Sequence, residues 1–116
     1  MNDRPPLNDR EAQARQALTA LAAAMLSKEV SFFEGADQVL RLRQEIGGIA
    51  DHDPDFDAFV AIRSETDHLP LQAQQPLWNP EALTRLAPEW ARTEIWAASF
   101  APAACQRLLA RFRGQP

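Results

Sequence analysis

The sequence predicts an all-α fold, a compact single-domain bundle of four to six helices. Three observations carry this. Helix-start signals recur at Asn8, at Asp53-Pro54, at Asn79-Pro80 and at Pro88. Apolar residues between them keep the i, i+3, i+4, i+7 spacing of a buried helical stripe, and no segment alternates apolar and polar residues long enough to make a strand. At 116 residues the chain suffices for one core. The expected division is an N-terminal tail over 1–7, one helical domain over 8–113 and a C-terminal tail over 114–116.

The first helix should start with Asn8 as N-cap and Glu11 as its capping-box partner, and run to about Ser27. Ala14, Leu18, Leu21, Ala22, Met25 and Leu26 form its core stripe. A second helix, from around Lys28 or Ser31, uses Phe32, Phe33, Ala36, Val39, Leu40 and Ile46, and Gly47-Gly48 stops it. Gly35 inside it costs about 1 kcal/mol against alanine, which suggests a close approach to a neighbour. Asp53 caps a third helix with Pro54 at its first position, and Asp55 and Asp57 favour the positive end of its dipole. Its apolar face is Phe56, Phe59, Val60 and Ile62, and it ends between Ser64 and Asp67. His68 to Trp78, with Pro70 and Pro76, shows no period and reads as a loop of about ten residues. Asn79-Pro80 starts a short helix to Leu86, and Pro88 opens another through Trp90, Ile95, Trp96 and Phe100. Pro102 kinks or splits the last stretch, whose face is Ala101, Cys105, Leu108, Leu109 and Phe112.

Composition excludes several classes. A lone cysteine, Cys105, rules out an intramolecular disulfide and a cysteine-rich zinc site. The mostly apolar run Leu18–Leu26 is far too short to span a bilayer and Met1–Pro6 leads into no signal-peptide core, so a cytoplasmic protein without membrane attachment is expected. The net charge of −4 is unevenly spread. Residues 44–84 hold Glu45, Asp51, Asp53, Asp55, Asp57, Glu65, Asp67 and Glu81 against Arg63 alone. This acidic block argues against nucleic acid, whose affinity comes from Lys and Arg meeting phosphates, and suits a basic protein partner. Arg107, Arg111 and Arg113 complement the dipole of the last helix, or meet the acidic block instead.

No constellation of catalytic or cofactor-binding residues stands out. Asp51, Asp53, Asp55 and Asp57 supply the oxygens a hard cation wants. A calcium loop starting at Asp51, however, would need glycine where Phe56 stands and glutamate where Ile62 stands, so a solvated capping segment is favoured. His52 and His68 flank a helix whose rise of about 1.5 Å per residue holds them some 15 Å or more apart, which disfavours a shared zinc. Ser64, Glu65, Asp67 and His68 have the residue types of a hydrolytic site but lie adjacent in sequence, without a nucleophile elbow; a turn histidine bonded to backbone is favoured. Cys105 sits on an apolar stripe and reads as a buried, inert thiol. Trp78, Trp90 and Trp96 read mostly as core, although a partly exposed Trp78, in the long loop, suits an interface anchor. No cofactor and no metal are expected.

The words SETDHLPL at 64–71, LWNPEAL at 77–83 and SFFEGADQVLRL at 31–42 resemble a group of small uncharacterised bacterial all-helical proteins, over about residues 20–112. The resemblance implies a bacterial origin and a single domain, and brings no activity with it. The residues themselves favour a small acidic protein-binding module without enzymatic activity, for instance an immunity or antitoxin-like protein that occludes a basic toxin. The expected partner-binding residues are Asp51, Asp53, Asp55, Asp57, Glu65, Asp67, His68 and Trp78. Two alternatives are a hydrolase or metal-dependent enzyme centred on Glu65, Asp67 and His68, and a structural or regulatory homodimer paired through an exposed aromatic helix face.

Overall fold

The computed structural model describes residues 6–113. Five helices follow one another: α1 (Pro6–Leu26), α2 (Phe32–Ile46), α3 (Pro54–Glu65), α4 (Pro80–Ala98) and α5 (Ala101–Phe112), with a short 3-10 turn at Gln75–Leu77. Among the described residues there is no strand. The fold is the expected all-α bundle. None of the helices is long and apolar enough to cross a membrane among the described residues.

α1 begins at Pro6, so Asn8 belongs to its first turn rather than capping it, and Pro6 and Leu7 are helical instead of tail. The rest of the expected tails, residues 1–5 and 114–116, lies outside the described residues. The apolar stripe of α1 is buried as its spacing predicts, with Leu18 and Ala22 fully enclosed and Met25 nearly so. It packs against α2 and α5. α1 stops without a glycine: Lys28 takes the left-handed conformation, φ 67°. The turn is closed by Lys28 N–H donating to Met25 O and Glu29 N–H to Ala24 O, at 3.2 and 2.9 Å.

α2 is capped twice at its start. The Ser31 hydroxyl accepts from Glu34 N–H at 3.0 Å, and the Glu94 carboxylate, from α4, accepts from Phe32 N–H at 2.7 Å and Phe33 N–H at 3.3 Å. That second cap neutralises helix-end donors with a residue 61–62 positions away, which no local signal announces. Gly47, φ 74°, ends the helix as expected. α3 starts as the sequence requires, with the Asp53 side chain accepting from Asp55 N–H at 2.9 Å. Its Phe56, Phe59 and Ile62 are completely buried between α2 and α5, while Val60 points outward.

The segment between α3 and α4 is ordered by burial rather than by a regular element. Leu69 and Leu71 join Phe33 in a small second core, against Leu86 and Trp90 of α4. Side chains hold its backbone: Glu34 Oε2 accepts from Gln72 N–H at 2.7 Å and Gln74 Oε1 from Leu71 N–H at 2.9 Å.

The two helices expected on either side of Ala87 are one continuous helix, with Pro88 inside it. Pro88 cannot donate to the carbonyl of Thr84, a defect worth about 3 kcal/mol in a buried helix. Here Pro88 and Thr84 are both exposed, so water can satisfy that carbonyl. Leu86 and Trp90, packed on the second core, clamp the helix on both sides. Continuity through Pro88 also sets the rotation of α4. Ala97 is its one fully buried residue among the nineteen, Ile95 is 73% exposed and Trp96 39% exposed, so Trp96 is not the core residue expected. The split near Pro102 is as predicted: α4 ends at Ala98, and Pro102 occupies the first turn of α5.

Gly35 tests how closely α1 and α2 approach. A Cβ there would sit 2.2 Å from Met25 Sδ and 2.7 Å from Met25 Cγ, far inside van der Waals contact. The close neighbour is thus a side chain and not backbone. Gly35→Ala gains about 1 kcal/mol of helix propensity but overpacks a filled site at about 1–3 kcal/mol. Urea denaturation should show a net loss of about 1 kcal/mol in the wild-type background, and no loss when Met25 has first been changed to Ala.

Candidate interaction surface

Apart from Glu45 in α2 and Glu81 in α4, the acidic block divides into two places at opposite ends of α3. At its start, the capping geometry of Asp53 and the first-turn position of Asp55 aim both carboxylates at α5. Arg111 Nη1 donates to Asp53 Oδ2 at 2.8 Å and to Asp55 Oδ2 at 3.0 Å, and Arg107 Nε donates to Asp55 Oδ1 at 3.2 Å. The Arg111 guanidinium also lies 5.1 Å from the Phe112 ring centroid and 5.8 Å from that of Phe56. Asp53, 11% exposed at its side chain, is therefore not the solvated carboxylate expected of this segment. Asp51, His52 and Asp57 remain exposed beside it.

Partial burial pushes the Asp53 carboxyl up, but the Arg111 hydrogen bond, the Asp55 N–H and the Arg111 charge together hold it below the usual aspartate value. On Arg111 burial likewise opposes the charge, and the two aspartates outweigh it, raising its pKa. These groups form a latch between the start of α3 and the end of α5.

At the other end of α3 a different group assembles. His68 Nε2 is hydrogen-bonded to Glu89 Oε2 of α4, and Asp67 Oδ1 lies 3.8 Å from His68 Nδ1, too far for a hydrogen bond. The histidine expected to bond backbone is bonded to a carboxylate that only the tertiary fold brings near. Asp67 and His68 line a surface depression with Leu77 and Trp78. Glu89 in turn lines a second depression with Glu65, Arg92, Thr93 and Trp96. The His68–Glu89 bond joins the two into one strip, with a tryptophan at each end. Trp78 and Trp96 are each 39% exposed, and Leu77 is 87% exposed. Trp96 is braced by an edge contact with Phe100, ring centroids 4.8 Å apart.

Of the expected site residues, the structure thus brings Glu65, Asp67, His68 and Trp78 to one surface and leaves Asp51, Asp53, Asp55 and Asp57 at the far end of α3. Glu89 and Arg92, for which the sequence suggested no site role, belong to the strip, as does Trp96, which the sequence placed in the core. Their spacing of three and four residues on one helix was the available signal, hidden by the expected break at Pro88. Thr66, the hydroxyl nearest His68 in sequence, is fully buried and donates to Ile62 O at 2.6 Å. Among the described residues no three His, Cys, Asp or Glu side chains are grouped so that they could hold a metal ion. Cys105 is buried in the main core, and that burial raises its thiol to about 11.

Two outcomes follow. The folded Asp53 pKa lies below the unfolded value of about 3.9, so its ionised form stabilises the protein above that pH, and the contribution is lost as pH falls through the lower folded value. Asp53→Asn, which keeps the cap, should cost about 1 kcal/mol at pH 7, and Asp53→Ala about 2 kcal/mol. In both, denaturation midpoints should lose part of their fall below pH 4. Cys105 should react with a thiol reagent only as fast as the protein unfolds. No family model matches the chain, and no curated protein or solved structure is significantly similar to it.

Proposed function

We propose that this protein is a protein-binding module that docks its partner on the strip from Trp78 through His68 and Glu89 to Trp96. The observation that carries the reading is the pair of half-exposed tryptophans bracketing ordered charged side chains. Large aromatics in desolvating surroundings are the residues that anchor protein interfaces. The segment that presents Trp78 is held by buried Leu69 and Leu71 and by Glu34, so ordering it on binding costs little.

The exposed carboxylates near this end, Glu65 and Asp67, with Asp51 and Asp57 farther away, favour a basic protein as partner, as for an immunity or antitoxin-like protein that covers a cationic toxin. Asp53 and Asp55 contribute little to that attraction because Arg107 and Arg111 already compensate them.

Capture from the native host followed by binding kinetics tests both levels of the reading. Trp78→Ala and Trp96→Ala should each accelerate partner dissociation by about tenfold or more. Changing Asp51, Asp57, Glu65 and Asp67 to their amides should slow association by about tenfold at low salt and flatten its salt dependence. Dissociation unaffected by either tryptophan removes the strip as the docking face. Association insensitive to salt and to the four amides removes the basic partner.

A further inference from the structure

The strip is complementary to itself. Ala82, Arg85, Glu89, Arg92 and Trp96 alternate spacings of three and four residues, so they lie along one side of α4, beside the face that buries Leu86, Trp90 and Ala97. A two-fold axis across α4 at the level of residue 87 places each residue opposite the one equally far beyond it. Arg85 then faces Glu89 of a second copy, and Glu89 faces its Arg85. Ala82 faces Arg92, a small residue against a long one, with Glu81 next to it. Trp78, in the extended segment just ahead of α4, stands at the end of the helix that meets Trp96 of the second copy. Opposite charges meet at the centre in both copies, and each aromatic end meets the other aromatic end.

Within one copy these groups are left available. Arg85 is exposed and takes part in no ion pair among the described residues. Glu89 engages His68 through Oε2 and retains Oε1. α4 is nineteen residues long, about 28 Å, with one residue fully buried in its own chain.

We infer that two copies of this chain pair through antiparallel α4 helices, Arg85 of each against Glu89 of the other and Trp78 of each against Trp96 of the other. The inference rests on the reading of the strip as a docking surface and names a second copy as its occupant when no other partner is bound. The pairing is isologous and closes at two copies. One helix pair with its flanking loop contributes less than the roughly 800 Å² per partner of a standard interface, so the dimer should be reversible, with Kd on the order of 10 µM.

Sedimentation equilibrium of the purified chain from micromolar to millimolar concentration should show monomer passing to dimer and nothing larger. Arg85→Glu and Glu89→Arg should each weaken the dimer at least tenfold, because each brings like charges together twice. The double variant should return Kd to within about threefold of wild type, a rescue that a merely structural effect cannot produce. Trp96→Ala should also weaken the dimer at least tenfold. Should Glu89→Arg unfold the chain by removing the bond to His68, Arg85→Glu and Arg85→Gln still decide the matter, since Arg85 is exposed. Monomer throughout, or a dimer indifferent to Arg85, overturns the pairing. Capture of a different partner that depends on Trp78 would then leave the docking surface standing, whereas a dimer rescued by the charge swap without any such capture confines that surface to self-pairing.

Discussion

The close seating of α1 on α2, with Met25 filling the space above Gly35, is the contact on which the rest of the molecule depends. It forms one broad apolar surface from two consecutive helices, and α3 and α5 close over it. Leu18, Ala22, Val39, Phe56, Phe59, Ile62, Cys105 and Leu108 are thereby removed from water almost completely. A core built this way consumes most of the apolar stripe of four helices. α4 is left with the edge, and attaches through Ala97 at the rim of the main core, through a smaller cluster and through one carboxylate, Glu94, on the start of α2.

That peripheral attachment is why the surface of interest lies on α4. A helix that buries a narrow face retains broad flanks, and here one flank carries Arg85, Glu89, Arg92 and Trp96. Rigidity comes from elsewhere: His68 ties the preceding segment to Glu89, while Leu69 and Leu71 anchor it below. The result is an exposed aromatic and charged surface with its geometry set in advance, which suits recognition because little freedom remains to be lost.

Charge has two distinct uses in the same short helix. At the start of α3 the carboxylates stabilise the fold: they cap the helix, and with Arg107 and Arg111 they fasten it to α5. At the end of α3 Glu65 and Asp67 stay exposed, beside a histidine held by α4. The sum of charges over the segment is therefore a poor guide to its outward field, since partial burial beside guanidinium groups cancels part of it.

The all-α class, the cap at Asp53, the stop at Gly47 and the break at Pro102 follow from the sequence alone, because capping, helical spacing and the missing N–H of proline act within a few residues. The apolar stripes of α1, α3 and α5 were legible for the same reason. The continuity of α4 through Pro88 was not: a locally unfavourable residue is tolerated where its orphaned carbonyl meets solvent and where Leu86 and Trp90 are gripped by Phe33, Leu69 and Leu71. Glu65, Asp67, His68 and Trp78 could be picked out as candidates by residue type, and a meeting of the C-terminal arginines with the acidic block was one of two readings, but which arginine meets Asp53 and Asp55, Glu89 as the partner of His68, and Trp96 as the second aromatic end could not. Each of those pairings spans tens of residues, and only the packing of helices against one core decides which distant side chains meet.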